Sequence, residues 1–210
     1  MRATAILPVK RFAAAKRRLG LSDERRRRDL LEAMLRDVLA AIGESRMVER
    51  TLVVTGEPAA ERIAGEAGAE TVTDPADAGH SEAALLGIEA AERAACVALL
   101  PGDCPLLDPR ELDSVLTGVP DRYVTVVPDR HGTGTNALIL APPDAIRPAF
   151  GEGSRARHEA TARRAGVPCS IEAVDSLALD LDTPADIVAL TTAIESGRGE
   201  APNTARALGI

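Results

Sequence analysis

Aromatic side chains are almost absent from this 210-residue chain: Phe12, Phe150 and Tyr123 are all it has, and tryptophan is missing. That removes the stacking platforms on which single-stranded nucleic acid binders and many RNA-binding modules depend, so a bound base has to lie against backbone and aliphatic side chains. The formal charge of −7 also argues against a nucleic acid partner. The three cysteines, Cys96, Cys104 and Cys169, are odd in number, far apart and never spaced C-x-x-C. Neither a disulfide framework nor a zinc ribbon is on offer, and a reducing cytoplasm fits best. No run approaches the ~20 apolar residues of a membrane helix, and the N-terminus lacks a signal-peptide pattern, so the expectation is a soluble, unprocessed chain. His80, His131 and His158 lack metal-ligand spacing, and none is given a catalytic role.

Lysine is scarcer still. Of the 25 basic residues only two are lysines, Lys10 and Lys16, and they stand six residues apart. Lysine is a compact point charge that can follow a moving phosphate, whereas arginine is a rigid planar fork. What is plentiful is aliphatic: 45% of the chain is hydrophobic, enough to bury one core built from Ala, Val, Leu and Ile.

Strand-like and helix-like segments alternate along the first half. Strands are expected at 4–9, 51–55, 70–73 and 96–100, and helices follow at 22–43, 58–67 and from 81, capped by Ser22 and Ser81 where those serines precede the apolar period. Asp108 with Glu111 opens a further helix. Two strands at 123–127 and 137–140 flank a glycine-rich turn, 154–165 reads as helix, 177–181 as strand, and Thr183-Pro184 opens a last helix. The expected architecture is a three-layer α/β/α domain with a mixed, mainly parallel sheet over residues 1–196, and a tail, 197–210, that frays or docks on a neighbour. In such sheets ligands gather at the carboxyl ends of the strands.

Five runs occupy such ends. The loop Lys10 to Leu19 carries both lysines and Arg18 off the first strand, where a polyphosphate would arrive. Pro101-Gly102-Asp103-Cys104-Pro105 places a carboxylate just past the most apolar strand, well set to ligate Mg²⁺; Cys104 beside it reads as a packed side chain. Gly132-Thr133-Gly134-Thr135-Asn136 matches G-x-G-x-x-A, but Pro142-Pro143 prevents a helix after it, so a Rossmann fingerprint is rejected and a close-approach loop for phosphate or carboxylate remains. The absence of G-x-x-x-x-G-K-[ST] excludes a P-loop. Gly151 to His158 brings small residues, Ser154 and two arginines to a helix start, which suits a phosphomonoester as well as an ordinary serine cap. Asp180 and Asp182 close the last strand on one face by the two-residue period; Asp182 or Thr183 could equally be the cap of the last helix.

Taken in order, these runs resemble nucleotidyltransferases of the glycosyltransferase-A type, and within them the guanylyltransferases of coenzyme F420 biosynthesis. The resemblance covers roughly residues 3 to 195. It implies that the phosphate of a small acid attacks the α-phosphorus of GTP and releases pyrophosphate. Phosphoenolpyruvate is the implied acceptor, because the Phe150 to His158 stretch looks more like the bacterial members. Mg²⁺ would sit on Asp103 with Asp180 or Asp182. Lys10, Lys16 and Arg18 would meet the GTP phosphates, with Gly79 and Ser81 also on the nucleotide, although Gly79-His80-Ser81-Glu82-Ala83 replaces the Gly-Leu-Asn-Ala-type turn of relatives. Thr135, Asn136, Gly151 and Ser154 would hold the acceptor. The alternatives are 2-phospho-L-lactate, 3-phosphoglycerate or a sugar phosphate as acceptor, or a nucleotide-binding regulator without turnover. Any assembly is expected to be a small homo-oligomer.

Overall fold

The computed structural model describes residues 2–13, 15–21 and 23–210. Seven strands make one sheet: β1 (Ala3–Val9), β2 (Val48–Thr55), β3 (Glu70–Thr73), β4 (Val97–Leu99), β5 (Tyr123–Pro128), β6 (Thr135–Ala141) and β7 (Cys169–Ile171). Their order is β3-β2-β1-β4-β6-β5-β7. β6 alone runs against the others, antiparallel to β4 on one side and β5 on the other. The mixed, mainly parallel sheet is therefore present.

Alternating side chains build two cores. Ala5, Leu7, Val53, Ala98 and Ile139 face one layer, while Ile6, Leu52, Val54, Leu99, Leu138 and Leu140 face the other. The first layer holds α1 (Glu24–Glu44), α2 (Pro58–Glu66), α4 (Pro109–Leu116), α6 (Asp175–Ala178) and α7 (Pro184–Glu195). The second holds α3 (His80–Ala90) and α5 (Ser154–Ala165). Gly87 lets α3 lie almost on the sheet, since a Cβ there would collide with Ile6 Cγ2.

Several local expectations are corrected. Ser22 lies outside the described residues, and the cap of α1 is Asp23, which accepts from Arg25 N and Arg26 N. Ser81 does not cap α3; Gly79, at φ 123°, precedes its first residue. Gly153, not Ser154, takes the cap position of α5. Residues 177–181 are not a strand: the short α6 ends at Ala178, and residues 179–181 join no strand of the sheet. β7 is absent from the sequence reading, because three residues are too few to show a period. In the tail, α8 (Pro202–Leu208) packs on α1, where the carboxylate of Asp37 accepts from Asn203 N and Nδ2 and from Thr204 N and Oγ1 at 2.7–3.1 Å.

Because β6 is reversed, its first residue, Thr135, lies at the same edge of the sheet where β1 and β4 finish. One edge thus receives the loops that carry Lys10, Lys16, Asp103 and Thr135.

Candidate active site

The basic loop after β1 is pinned at both ends by its own apolar residues. Phe12 and Leu19 are buried in the α1 layer, and Phe12 N donates to Glu57 at the head of α2 (3.0 Å). Between these anchors Lys16 adopts a left-handed backbone, φ 55° and ψ 32°. That conformation costs a non-glycine residue roughly 1–2 kcal/mol, and here the surroundings hold it. Its ammonium pairs with Asp103 and, at 2.5 Å, with Asp182 Oδ1. Burial works against the Lys16 charge, but Asp103 and Asp182 outweigh it and hold its pKa above the ordinary value. Arg18 reaches the other oxygen of Asp182 at 3.1 Å from a largely exposed position. Lys10 is exposed at the end of β1, close enough to His80 for its charge to be felt there.

Asp103 follows β4, and its carbonyl accepts from Leu181 N (3.2 Å), which draws the segment between α6 and α7 across the site. Asn136 holds the same segment from the other side: its amide donates to Leu177 O at 2.7 Å and lies 3.4 Å from Asp180 Oδ1. Asn136 thus commits its N–H groups to this strap. Burial, and then the nearby charge of Asp103, pushes the Asp180 carboxyl up, with Lys16 pulling it back. The face expected to present Asp180 and Asp182 together is not formed, because the segment has no strand pleat. Asp182 turns instead to Lys16 and Arg18. The last helix is capped through Thr183 and Asp186, which leaves the Asp182 carboxylate for the lysine.

Among the described residues no three His, Cys, Asp or Glu side chains form a ready-made metal cage. Asp180 nevertheless lies near enough to Asp103 that this like charge adds to burial in raising its pKa, and hard oxygen donors of this kind suit Mg²⁺. One or two carboxylates completed by substrate phosphates is the usual arrangement for that ion.

The second half of the site is built from the glycine-rich turn and the start of α5. The turn is closed by Asp129, whose carboxylate accepts from Thr133 N (3.0 Å). Gly134 has to be glycine there, since a Cβ would meet Asp129 Oδ2 at 2.6 Å. Arg155 N donates to Thr133 O (3.3 Å), joining turn to helix. Gly151 takes φ 106°. Thr135, Gly151 and Ser154 come together around this junction, and Ser154 Oγ, on a residue only 1% exposed, has no hydrogen-bond partner. Arg157, counted among the cations for a phosphate, points elsewhere: its guanidinium donates to the carbonyls of Ala149, Phe150 and Glu152 and staples the loop.

Sequence reasoning passes over two histidines that the structure brings to the centre. His80, first residue of α3, packs edge-on against Phe150 with ring centroids 4.5 Å apart, and burial pushes its pKa down to about 4. Ser81 beside it accepts from Phe150 N at 2.9 Å, tying the start of α3 to the loop before α5. His158 bridges Thr135 and Ala149. Periodicity cannot show either histidine, since both draw their position from partners distant in sequence. Two surface hollows lie away from this site, one beside β5 and β7 and one against β2.

Residues 3–206 match the family described as guanylyl transferase CofC like. The chain belongs to that family. It is 49% identical over 207 residues to the phosphoenolpyruvate guanylyltransferase of Conexibacter woesei, which aligns with 95% of this chain and over 92% of its own length. The 3-phospho-D-glycerate guanylyltransferase of Phenylobacterium zucineum is 37% identical over 192 residues, covering 89% of this chain and 88% of that protein. In fold the CofC-like chain is similar to a Desulfovibrio desulfuricans protein described as a nucleotide-diphospho-sugar transferase, with a TM-score of 0.72 at 18% identity and coverage of 98% and 94%. No helix among the described residues is long and apolar enough to cross a membrane.

Proposed function

We propose that this CofC-like guanylyltransferase transfers GMP from GTP to phosphoenolpyruvate, in the route to coenzyme F420, with Mg²⁺ held by Asp103 and Asp180. The observation that carries the reading is the convergence, on one sheet edge, of a buried lysine between carboxylates and a glycine-rich junction with an unpartnered hydroxyl. The 49% identity to a relative named phosphoenolpyruvate guanylyltransferase supports the choice of acceptor.

An oxygen of the acceptor phosphate attacks the α-phosphorus of GTP; the bond from that phosphorus to the β-bridging oxygen breaks, and pyrophosphate leaves with the electron pair. The acceptor oxygen is already anionic at neutral pH, so no general base is needed, in keeping with two histidines held neutral by burial. Lys16, kept charged by its carboxylates, would offset the negative charge that gathers as pyrophosphate departs, and Lys10 and Arg18 would receive the β and γ phosphates. Mg²⁺, when bound, would screen the same phosphate oxygens and polarise the α-phosphorus. Gly79 and Ser81 would meet the nucleoside, with backbone rather than aromatic stacking on the base. Thr135, Gly151 and Ser154 would take the phosphate and carboxylate of the acceptor, and Asn136 would support them by fixing the strap that carries Asp180.

The test is pyrophosphate release from GTP with phosphoenolpyruvate, 2-phospho-L-lactate, 3-phosphoglycerate and a sugar phosphate as separate acceptors. Phosphoenolpyruvate is expected to give the highest kcat/KM. A higher value with 3-phosphoglycerate would move the chain to the specificity of its Phenylobacterium relative, and GTP binding without release from any acceptor would make it a nucleotide-binding regulator.

A further inference from the structure

His158 lies one turn into α5 and is completely buried. Both of its ring nitrogens are engaged, and the two contacts together determine where its proton resides. Nε2 stands 2.8 Å from the backbone nitrogen of Ala149. A backbone N–H can only donate, so Nε2 must accept and carries no proton. The neutral ring therefore holds its proton on Nδ1, which lies 3.1 Å from Thr135 Oγ1. The imidazole N–H donates to the threonine hydroxyl, and the hydroxyl's own proton is left to be given elsewhere.

A second observation lies on the same helix face. Ser154, four residues before His158, has a buried hydroxyl with no partner. The junction thus offers two hydroxyls and no group that must itself receive a proton, a donor set suited to an anionic oxygen. Protonation of the imidazole would undo this by setting an N–H against the N–H of Ala149. Burial and the adjacent Arg157 oppose it, holding the pKa down to about 4. The charged groups bearing on the ring are few: Arg157 on its own helix, with the uncharged Phe150, Thr135 and Ala149 packed around it.

We infer that His158 is a positioning residue that fixes Thr135 as a hydrogen-bond donor to the anionic group of the acceptor, and clamps the start of β6 to the loop before α5 at Ala149. This rests on the reading of Thr135 as an acceptor contact. It deepens that reading by giving the Thr135 hydroxyl the donor role toward an anionic phosphate or carboxylate oxygen.

Two measurements test it. In ¹⁵N-histidine-labelled wild-type protein, the His158 ring should show the neutral form protonated at Nδ1; the Nε2-protonated form would overturn the inference without any appeal to activity. In steady-state kinetics, His158→Leu should raise the KM for the acceptor about tenfold, a loss of about 1.4 kcal/mol, with the KM for GTP within about twofold. His158→Asn, which keeps an N–H near the Nδ1 position, should recover most of the loss. Thr135→Val should raise the acceptor KM by a similar factor, and the double variant should be no worse than either single one. If Thr135→Val leaves the acceptor KM unchanged, the acceptor reading falls and this inference with it. If Thr135→Val is impaired while His158→Leu is not, or if the two losses multiply, His158 has no positioning role and the acceptor reading stands.

Discussion

Lys16 holds an ammonium between two carboxylates in a backbone conformation that few side chains adopt. A compact charge fits there and a planar fork does not, so Lys16→Arg should lower kcat by about 10- to 100-fold with a smaller change in the KM for GTP, read by steady-state kinetics. Asp103→Asn removes a lysine partner and a proposed Mg²⁺ ligand at once. Its turnover should fall by at least about 1,000-fold while the circular dichroism spectrum is kept. His158 links the site to stability. Its pKa is depressed in the folded protein, so the unfolded chain binds the extra proton first as pH falls. Its share of the stability, at most about 3 kcal/mol, is present above pH 6.5 and lost on the way down to about pH 4. Urea unfolding midpoints should fall over that window, and less steeply in His158→Asn. Lys16 and Asp103 are legible in the sequence because each follows a strongly apolar strand in a chain with hardly any lysine. The roles of His158, Ser81 and Asn136 are not, because they depend on carbonyls and amides tens of residues away or across a turn.

At the scale of elements, long apolar segments are easy to read and short ones are not. β1, α1, α5 and the hairpin of β5 and β6 declare themselves by their place and period, although the caps of α1 and α5 fall on Asp23 and Gly153. α6 and the strap after it look like a strand because Leu177, Leu179 and Leu181 alternate with Ala178 and Asp180, yet their backbone groups are taken by Asn136 and Asp103 rather than by a neighbouring strand. Composition leaves the tail to fray or to dock, and in the structure it docks: Asp37 of α1 supplies the cap that α8 lacks within its own segment, accepting from its second and third residues. Asp37→Ala should therefore cost about 2–4 kcal/mol in urea unfolding and release the α8 amides to fast hydrogen exchange. Gly87→Ala, by contrast, should harm the α3 side, lowering stability by about 1–3 kcal/mol through the clash with Ile6.

For the whole molecule, net charge is a poor guide to the ligand. A chain of charge −7 gathers Lys10, Lys16 and Arg18 at one sheet edge. With GTP at that edge as proposed, its KM should rise about 3- to 10-fold between roughly 50 and 500 mM sodium chloride, and the KM for the acceptor should rise less, since its proposed contacts are hydroxyls and backbone. The contact between Lys16 and Asp182 joins residues 166 positions apart in sequence, and Leu181 closes on Asp103 from the same late segment. During synthesis on the ribosome, the sheet from β1 to β4 can be complete while the strap is still inside the exit tunnel. A chain that ends before residue 179 therefore has Lys16 and Asp103 but not Asp182, and its lysine keeps only one of its two carboxylate partners.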